Sequence, residues 1–150
     1  MKLHWLAALL VVAAVVVGCT QERPAAPVVK VEVAKTPADA LQVVDKAVAA
    51  METAFQGTNT EAMAKAAHEL QLAMGTLTAA LSQKEQKESV AAHKAGTTPP
   101  PSVLDQLGPA TSGANQMQAA LIESPPDVTK AKSLLPQVKA TIDTVRGALK

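Results

Sequence analysis

The sequence predicts an all-α protein: an antiparallel four-helix bundle of two helical hairpins, after a cleaved signal peptide and an extended tether. Three observations predict it. Alanine supplies 30 of the 150 residues, and the aromatics are Trp5 and Phe55 with no tyrosine. A chain rich in the best helix former and poor in aromatics disfavours a β-sandwich or barrel. Four stretches carry apolar residues at alternating steps of three and four, the spacing of left-handed bundles. Each stretch begins where a hydroxyl residue stands three positions before an acid, the capping-box spacing. A length of 150 residues suits one domain.

The first element is a leader, residues 1–18. Lys2 gives a short positive start, and Leu6 to Val17 is an unbroken apolar run of twelve residues. At ~1.5 Å per residue such a run is too short to span a bilayer and fits the core of a signal peptide. It ends at Val16-Val17-Gly18-Cys19. Here the chain resembles bacterial lipoprotein signals, whose lipobox holds a branched aliphatic residue, a small residue before the cut and an obligatory cysteine. The resemblance covers residues 1–19 and implies cleavage between Gly18 and Cys19, with lipid on Cys19. Cys19 is the single cysteine, so no intrachain disulfide is possible. A thioether-linked lipid accounts for one unpaired thiol on an exported chain, and more than one acyl chain makes anchoring stable. Thr20 stands where aspartate usually marks retention in the inner membrane. The resemblance therefore implies the outer membrane, on its periplasmic face, or the cell surface if the source has a single membrane.

Removing residues 1–18 leaves 132 residues with 13 basic and 13 acidic side chains. A balanced charge without aromatic platforms gives no footprint for nucleic acid. Residues 19–35 hold the anchored cysteine and a tether. Pro24, Pro27 and charged residues favour an extended spacer. Val29, Val31 and Val33 alternate as in a strand, but no second strand appears to pair with them.

The bundle is expected over residues 36–150, with helices at about 37–56, 59–94, 102–123 and 126–149. Its four start signals are Thr36 with Asp39, Thr58 with Glu61, Ser102 with Asp105, and Ser124 with Asp127. In each, the hydroxyl accepts from an orphan N–H and the acid favours the positive end of the helix dipole. The first seam runs Leu41, Val44, Val48, Met51, Phe55. The second runs Met63, Ala67, Leu70, Met74, Leu77, Leu81. The third runs Val103, Leu107, Ala110, Ala114, Met117, Leu121. The fourth runs Val128, Ala131, Leu135, Val138, Ile142, Val145, Leu149. Two prolines fall inside helices. Pro109 cannot donate to the carbonyl of Asp105, which would make 102–108 a separate turn, and Pro136 is expected to kink the last helix.

Gly57-Thr58-Asn59 and Ser124 to Asp127 are short links, so each pair of helices should be antiparallel. Past Leu81 the second helix becomes polar all round, with Lys84 and Glu88 four apart, until Gly96 and Pro99-Pro100-Pro101. It should project beyond the core. A shift of 68 residues aligns Leu70, Met74, Leu77 and Leu81 with Val138, Ile142, Val145 and Leu149. That alignment fits duplicated hairpins, and equally fits any two heptad helices.

No nucleophile motif, phosphate loop or His-Glu-x-x-His is present. No glutamate has a histidine three residues later, as a di-iron bundle requires. His68 falls off the second seam and His93 lies in the polar extension, as surface histidines do. Met51, Met63, Met74 and Met117 lie on seams, where methionine fills gaps, although thioethers also bind Cu(I). The layout is similar to periplasmic cytochrome b562, which has four helices, a proline-containing link and many alanines. That family ligates haem by a methionine on its first helix and a histidine late on its fourth. Met51 sits late in the first helix here, and the fourth has no histidine, so haem is not carried over. With Cys19 at one end and Lys150 at the other, the chain is also similar at its two ends to Braun-type lipoproteins, whose terminal lysine is joined to peptidoglycan. A basic residue also suits a helix C-terminus.

The sequence therefore leads to a non-enzymatic, lipid-anchored helical module with no cofactor and no metal site. Its expected partners are the membrane, through lipid on Cys19, and an envelope protein that the sequence does not identify. Val43, Leu72 and Ile122 lie off the seams and offer either a partner patch or a wider core stripe. The alternative is a carrier of a metal, haem-like or other small ligand in the bundle interior.

Overall fold

A computed structural model describes residues 36–150; residues 1–35, on which the expected leader, Gly18, Cys19 and the expected tether fall, lie outside the described residues. Four helices follow in order: α1 (Pro37–Gln56), α2 (Thr60–Ala95), α3 (Leu104–Ile122) and α4 (Val128–Ala148). No strand occurs among the described residues. The helix bounds fall within two residues of those expected from the sequence. Close backbone approaches join α1 to α2, α2 to α3 and α3 to α4. On α2, His68 meets Gln118 of α3 and Gln71 meets Asn115, so three residues up one helix match three down the other. Between α1 and α4, Asp45 meets Arg146 and Glu52 meets Lys139 in the same sense. The architecture is an antiparallel four-helix bundle of two hairpins.

N-cap side chains start α1, α2 and α4, the last two from a different residue than the spacing predicts. Thr36 Oγ1 accepts from the N–H of Asp39 at 3.1 Å, and Pro37 opens α1. At α2 the cap is Asn59 rather than Thr58; its Oδ1 accepts from the N–H of Ala62 at 3.1 Å. At α4 the cap is Asp127 rather than Ser124, accepting from the N–H of Lys130 at 2.8 Å and leaving Pro125 and Pro126 in the loop. Asn and Asp rank at least level with the hydroxyl residues as caps, so the chain starts from the nearer carboxamide or carboxylate. Ser102 Oγ accepts from the N–H of Asp105 at 3.2 Å, although α3 itself opens at Leu104. Gly96 closes α2 at φ 66°, the left-handed conformation that glycine adopts without penalty.

Neither internal proline ends its helix. Residues 102–108 are not a separate turn, because α3 continues through Pro109. The bond that Pro109 removes would have gone to Asp105, in the first turn, so little of the helix depends on it. α4 likewise runs through Pro136.

The seams form one aliphatic core. Leu70, Met74, Leu77 and Leu81 of α2 are fully enclosed, with Val44 and Met51 of α1, Leu107 and Met117 of α3, and Val138 and Val145 of α4. No polar or charged side chain is buried among the described residues. A second buried stripe of small residues runs beside the seams at seven-residue spacing. It comprises Ala40 and Ala47 on α1, Ala66, Ala73 and Ala80 on α2, and Gly113 and Ala120 on α3. Small side chains let helix axes approach. The tightest place is Gly113, where an added Cβ would stand 2.6 Å from Val138 Cγ2.

Beyond Leu81 only Ala92 of α2 is buried. The N-terminus of α1, at Thr36 and Pro37, shares a groove with Ala80, Gln83, Lys84, Lys87 and Glu88 of α2, and that of α3 is held by Glu85. The last seven residues of α2, Ser89 to Ala95, thus reach past the starts of both neighbouring helices, by ~10 Å at ~1.5 Å per residue. The chain then turns back along this extension. The N–H of Thr97 donates to the carbonyl of Ala92 at 2.9 Å, and Pro99 and Pro100 share a small groove with Glu85 and Ser89.

Candidate functional site

The seam between α1 and α4 differs from the other three. Lys132, Lys139 and Arg146 recur at seven-residue intervals on α4 and so share one face. Across from them α1 presents Phe55, Glu52 and Asp45. Arg146 pairs with Asp45 and also with Asp143 on its own helix, and Lys139 pairs with Glu52. The third cation has a ring where the others have a carboxylate: Lys132 Nζ lies 5.7 Å from the centroid of Phe55. An ammonium over an aromatic face is held by the ring quadrupole.

Between these side chains lies a groove of about 470 Å³. It is lined by Phe55, Leu135, Pro136 and Ala140, of which Leu135 is buried, Phe55 half-buried and the other two exposed, and by the charged side chains of Glu52, Lys132, Lys139 and Asp143. Pro136 has no N–H to offer the carbonyl of Lys132, so the backbone beside the groove is one hydrogen bond short. Apolar side chains with a few charged groups among them are the usual lining of a binding site. The groove holds no nucleophile paired with a base. What it offers is apolar surface, one cation over a ring and paired charges along the edge.

A second constellation joins the hairpins. Glu85 Oε1 accepts from the N–H groups of Val103 and Leu104, both at 2.7 Å, and Oε2 accepts from the Ser102 hydroxyl at 2.9 Å. A carboxylate from α2 thereby satisfies the orphan donors at the start of α3. Burial, the largest single influence, raises the pKa of Glu85. The donors from Leu104, Ser102 and Val103 and the charge of Lys84 together outweigh it and hold the carboxyl below its ordinary value of 4.5.

The residues singled out from the sequence fall elsewhere. His68 is exposed, and its Nδ1 lies 3.1 Å from Nε2 of Gln118. His93 is exposed in the last turn of α2. Met51, Met63, Met74 and Met117 are all buried in the aliphatic core. No group of three or more His, Cys, Asp or Glu gathers in metal-binding distance among the described residues. Val43 packs against the core, whereas Leu72 and Ile122 are exposed at 38% and 69%. The pairing of His68 with Gln118 sets Ile122 about eight residues from the level of Leu72, or ~12 Å along the bundle, so the three do not form one patch. Gly18 and Cys19 lie outside the described residues.

Two features escaped the sequence reading. The heptad repeat of Lys132, Lys139 and Arg146 was the available sign of the groove, as was the matching pair Asp45 and Glu52 on α1. Glu85 had no such sign, because its partners lie 17 to 19 residues away across a proline-rich link. Comparison of the chain with protein-family models, with curated proteins and with solved structures returns no match.

Proposed function

We propose that the chain is a non-catalytic, lipid-anchored helical module of the bacterial envelope. In this reading it is held through Cys19 at the periplasmic face of the outer membrane and acts by contact with another envelope protein. The observation that carries the reading is Val16-Val17-Gly18-Cys19 directly after twelve apolar residues and a basic start. Among the described residues no helix is long and apolar enough to cross a membrane, and the reading places attachment at Cys19. Contact surfaces that support it are the open groove between α1 and α4 and the projecting end of α2, where Val90 is half exposed at 51%.

Membrane fractionation of the wild-type chain and of Cys19→Ala tests the anchor. The wild type is expected in the membrane pellet and the variant in the soluble fraction. Full retention of Cys19→Ala on the membrane would overturn the reading.

A further inference from the structure

We propose that the α1–α4 groove is the docking site for a protein segment that presents an aliphatic side chain beside a carboxylate. Charge complementarity on the cationic stripe carries the proposal. Two of its three members, Lys139 and Arg146, face carboxylates of α1, at Glu52 and Asp45. Lys132 has no ion-pair partner among the described residues and rests on Phe55, at the end of the groove that lacks an acid on α1. A carboxylate from outside completes the pattern there. The face of Phe55 supports the ammonium, while Leu135 and the exposed Pro136 and Ala140 offer apolar surface to an aliphatic side chain.

The occupant is a peptide segment rather than a free alkyl carboxylate. The groove is open to solvent along one side, and Glu52, Lys139 and Asp143 stand on its rim. A bare alkyl chain laid there would leave one flank wet and the other against charges, which gives little apolar burial. A peptide brings its own polar groups to that rim, as helices do when they dock in grooves between helices. The proposal deepens the reading of the chain as a protein-contact module and does not depend on the anchor. Failure of Cys19→Ala to leave the membrane and failure of the titration below are therefore separately readable.

Phe55 is the one phenylalanine of the chain, so labelling with 4-fluorophenylalanine places a single ¹⁹F resonance in the groove lining. The full chain carrying Cys19→Ala is titrated with a capped helical peptide bearing leucines on one face flanked by glutamates. The same peptide with lysines for glutamates and sodium dodecanoate serve as the other arms. A saturable shift with the glutamate peptide is expected, with the lysine peptide silent. Lys132→Gln should weaken binding at least tenfold with unchanged helix content, and Lys130→Gln, an exposed cation outside the groove, should bind as the parent does. Absence of a saturable shift, equal response to both peptides, or undiminished binding by Lys132→Gln overturns the proposal. So does a response to dodecanoate with the glutamate peptide silent.

Discussion

The α3–α4 and α1–α4 seams use the same helix, α4, and solve its packing in opposite ways. Against α3, Val138 sits on Gly113, and the backbones come close enough that one extra methyl group has no room. Against α1, long side chains bridge a wider gap: Arg146 reaches Asp45, Lys139 reaches Glu52, and Lys132 lies over Phe55. The separation of two helices follows the size of the side chains between them. The short seam gains dense apolar contact but tolerates no change of volume. The long seam gains only solvent-screened pairs, each worth ~0.2–1 kcal/mol, and keeps a groove. Rigidity and accessibility are thus divided between the two faces of one helix.

The largest effect expected anywhere sets the scale for that contrast. Leu77 is fully buried at the centre of α2, between Met74 and Leu81 of the same seam. Leu77→Ala should cost ~2–5 kcal/mol in a denaturant melt, from lost transfer energy and the cavity left behind. His68→Ala, on the exposed side of the same helix, should stay within ~0.5 kcal/mol. Similar costs for the two would mean that the core face of α2 is misplaced.

Gly113 tests the short seam directly. Alanine in place of a helical glycine normally gains ~1 kcal/mol through propensity. At Gly113 the added carbon meets a γ-methyl of Val138 at 2.6 Å, and a β-branched side chain in a helix has one favoured rotamer. Overpacking of this kind costs ~1–3 kcal/mol, so Gly113→Ala should be destabilising. Gly75 lies in α2 with nothing within 4 Å of an added Cβ, and Gly75→Ala should be stabilising by ~0.5–1 kcal/mol. Thermal melts of the pair should therefore shift in opposite directions. Shifts of one sign would mean that α3 and α4 are free to separate, and the contrast between the seams would lose its basis.

The large apolar seams were legible because leucine, methionine and valine recur at three- and four-residue steps that only a bundle core explains. The small-residue stripe was not. Ala66, Ala73 and Ala80 are buried, but alanine makes up 30 of the 150 residues, and an alanine on a surface looks the same in sequence. Gly113 was invisible for the same reason: its role depends on which helix lies against it. Helix starts were legible to within two residues, because Asn59 and Asp127 stand one and three positions after Thr58 and Ser124 and cap the later N–H groups of Ala62 and Lys130 instead. The groove needed the further knowledge that α1 and α4 are neighbours, and that follows from closing the bundle rather than from either helix alone.

Glu85 links the hairpins outside both seams and responds to pH. Its carboxyl is held below the ordinary 4.5, so the folded chain binds the proton less readily than the unfolded chain does. The stability it contributes is complete above about 4.5 and is lost as pH falls through the lower folded value. Glu85→Ala should cost ~0.5–2 kcal/mol at neutral pH, as loss of a helix cap does. The gap between wild type and variant should close as pH falls below 4.5. Hydrogen exchange should show the loss first at Val103 and Leu104, whose N–H groups the carboxylate holds. A gap that persists unchanged in acid would place the effect in packing rather than in the carboxylate.

The smallest effect belongs to the long seam and is the sharpest test of it. Arg146 binds Asp45 across the seam and Asp143 on its own helix, with all three side chains over a third exposed. Arg146→Gln should therefore cost no more than ~1 kcal/mol, as exposed pairs do. What matters more is its response to salt. At 1 M salt the screening length falls to ~3 Å, so an ion pair open to solvent contributes little there. The difference between wild type and Arg146→Gln, measured by urea melts, should shrink towards zero as sodium chloride is raised. The difference between wild type and Gly113→Ala should not, because overpacking does not depend on screening. If the Arg146 effect is large and indifferent to salt, its side chain acts through packed contact, α1 and α4 are as tightly joined as α3 and α4, and the groove beside Lys132 is a packed seam with no room for a guest.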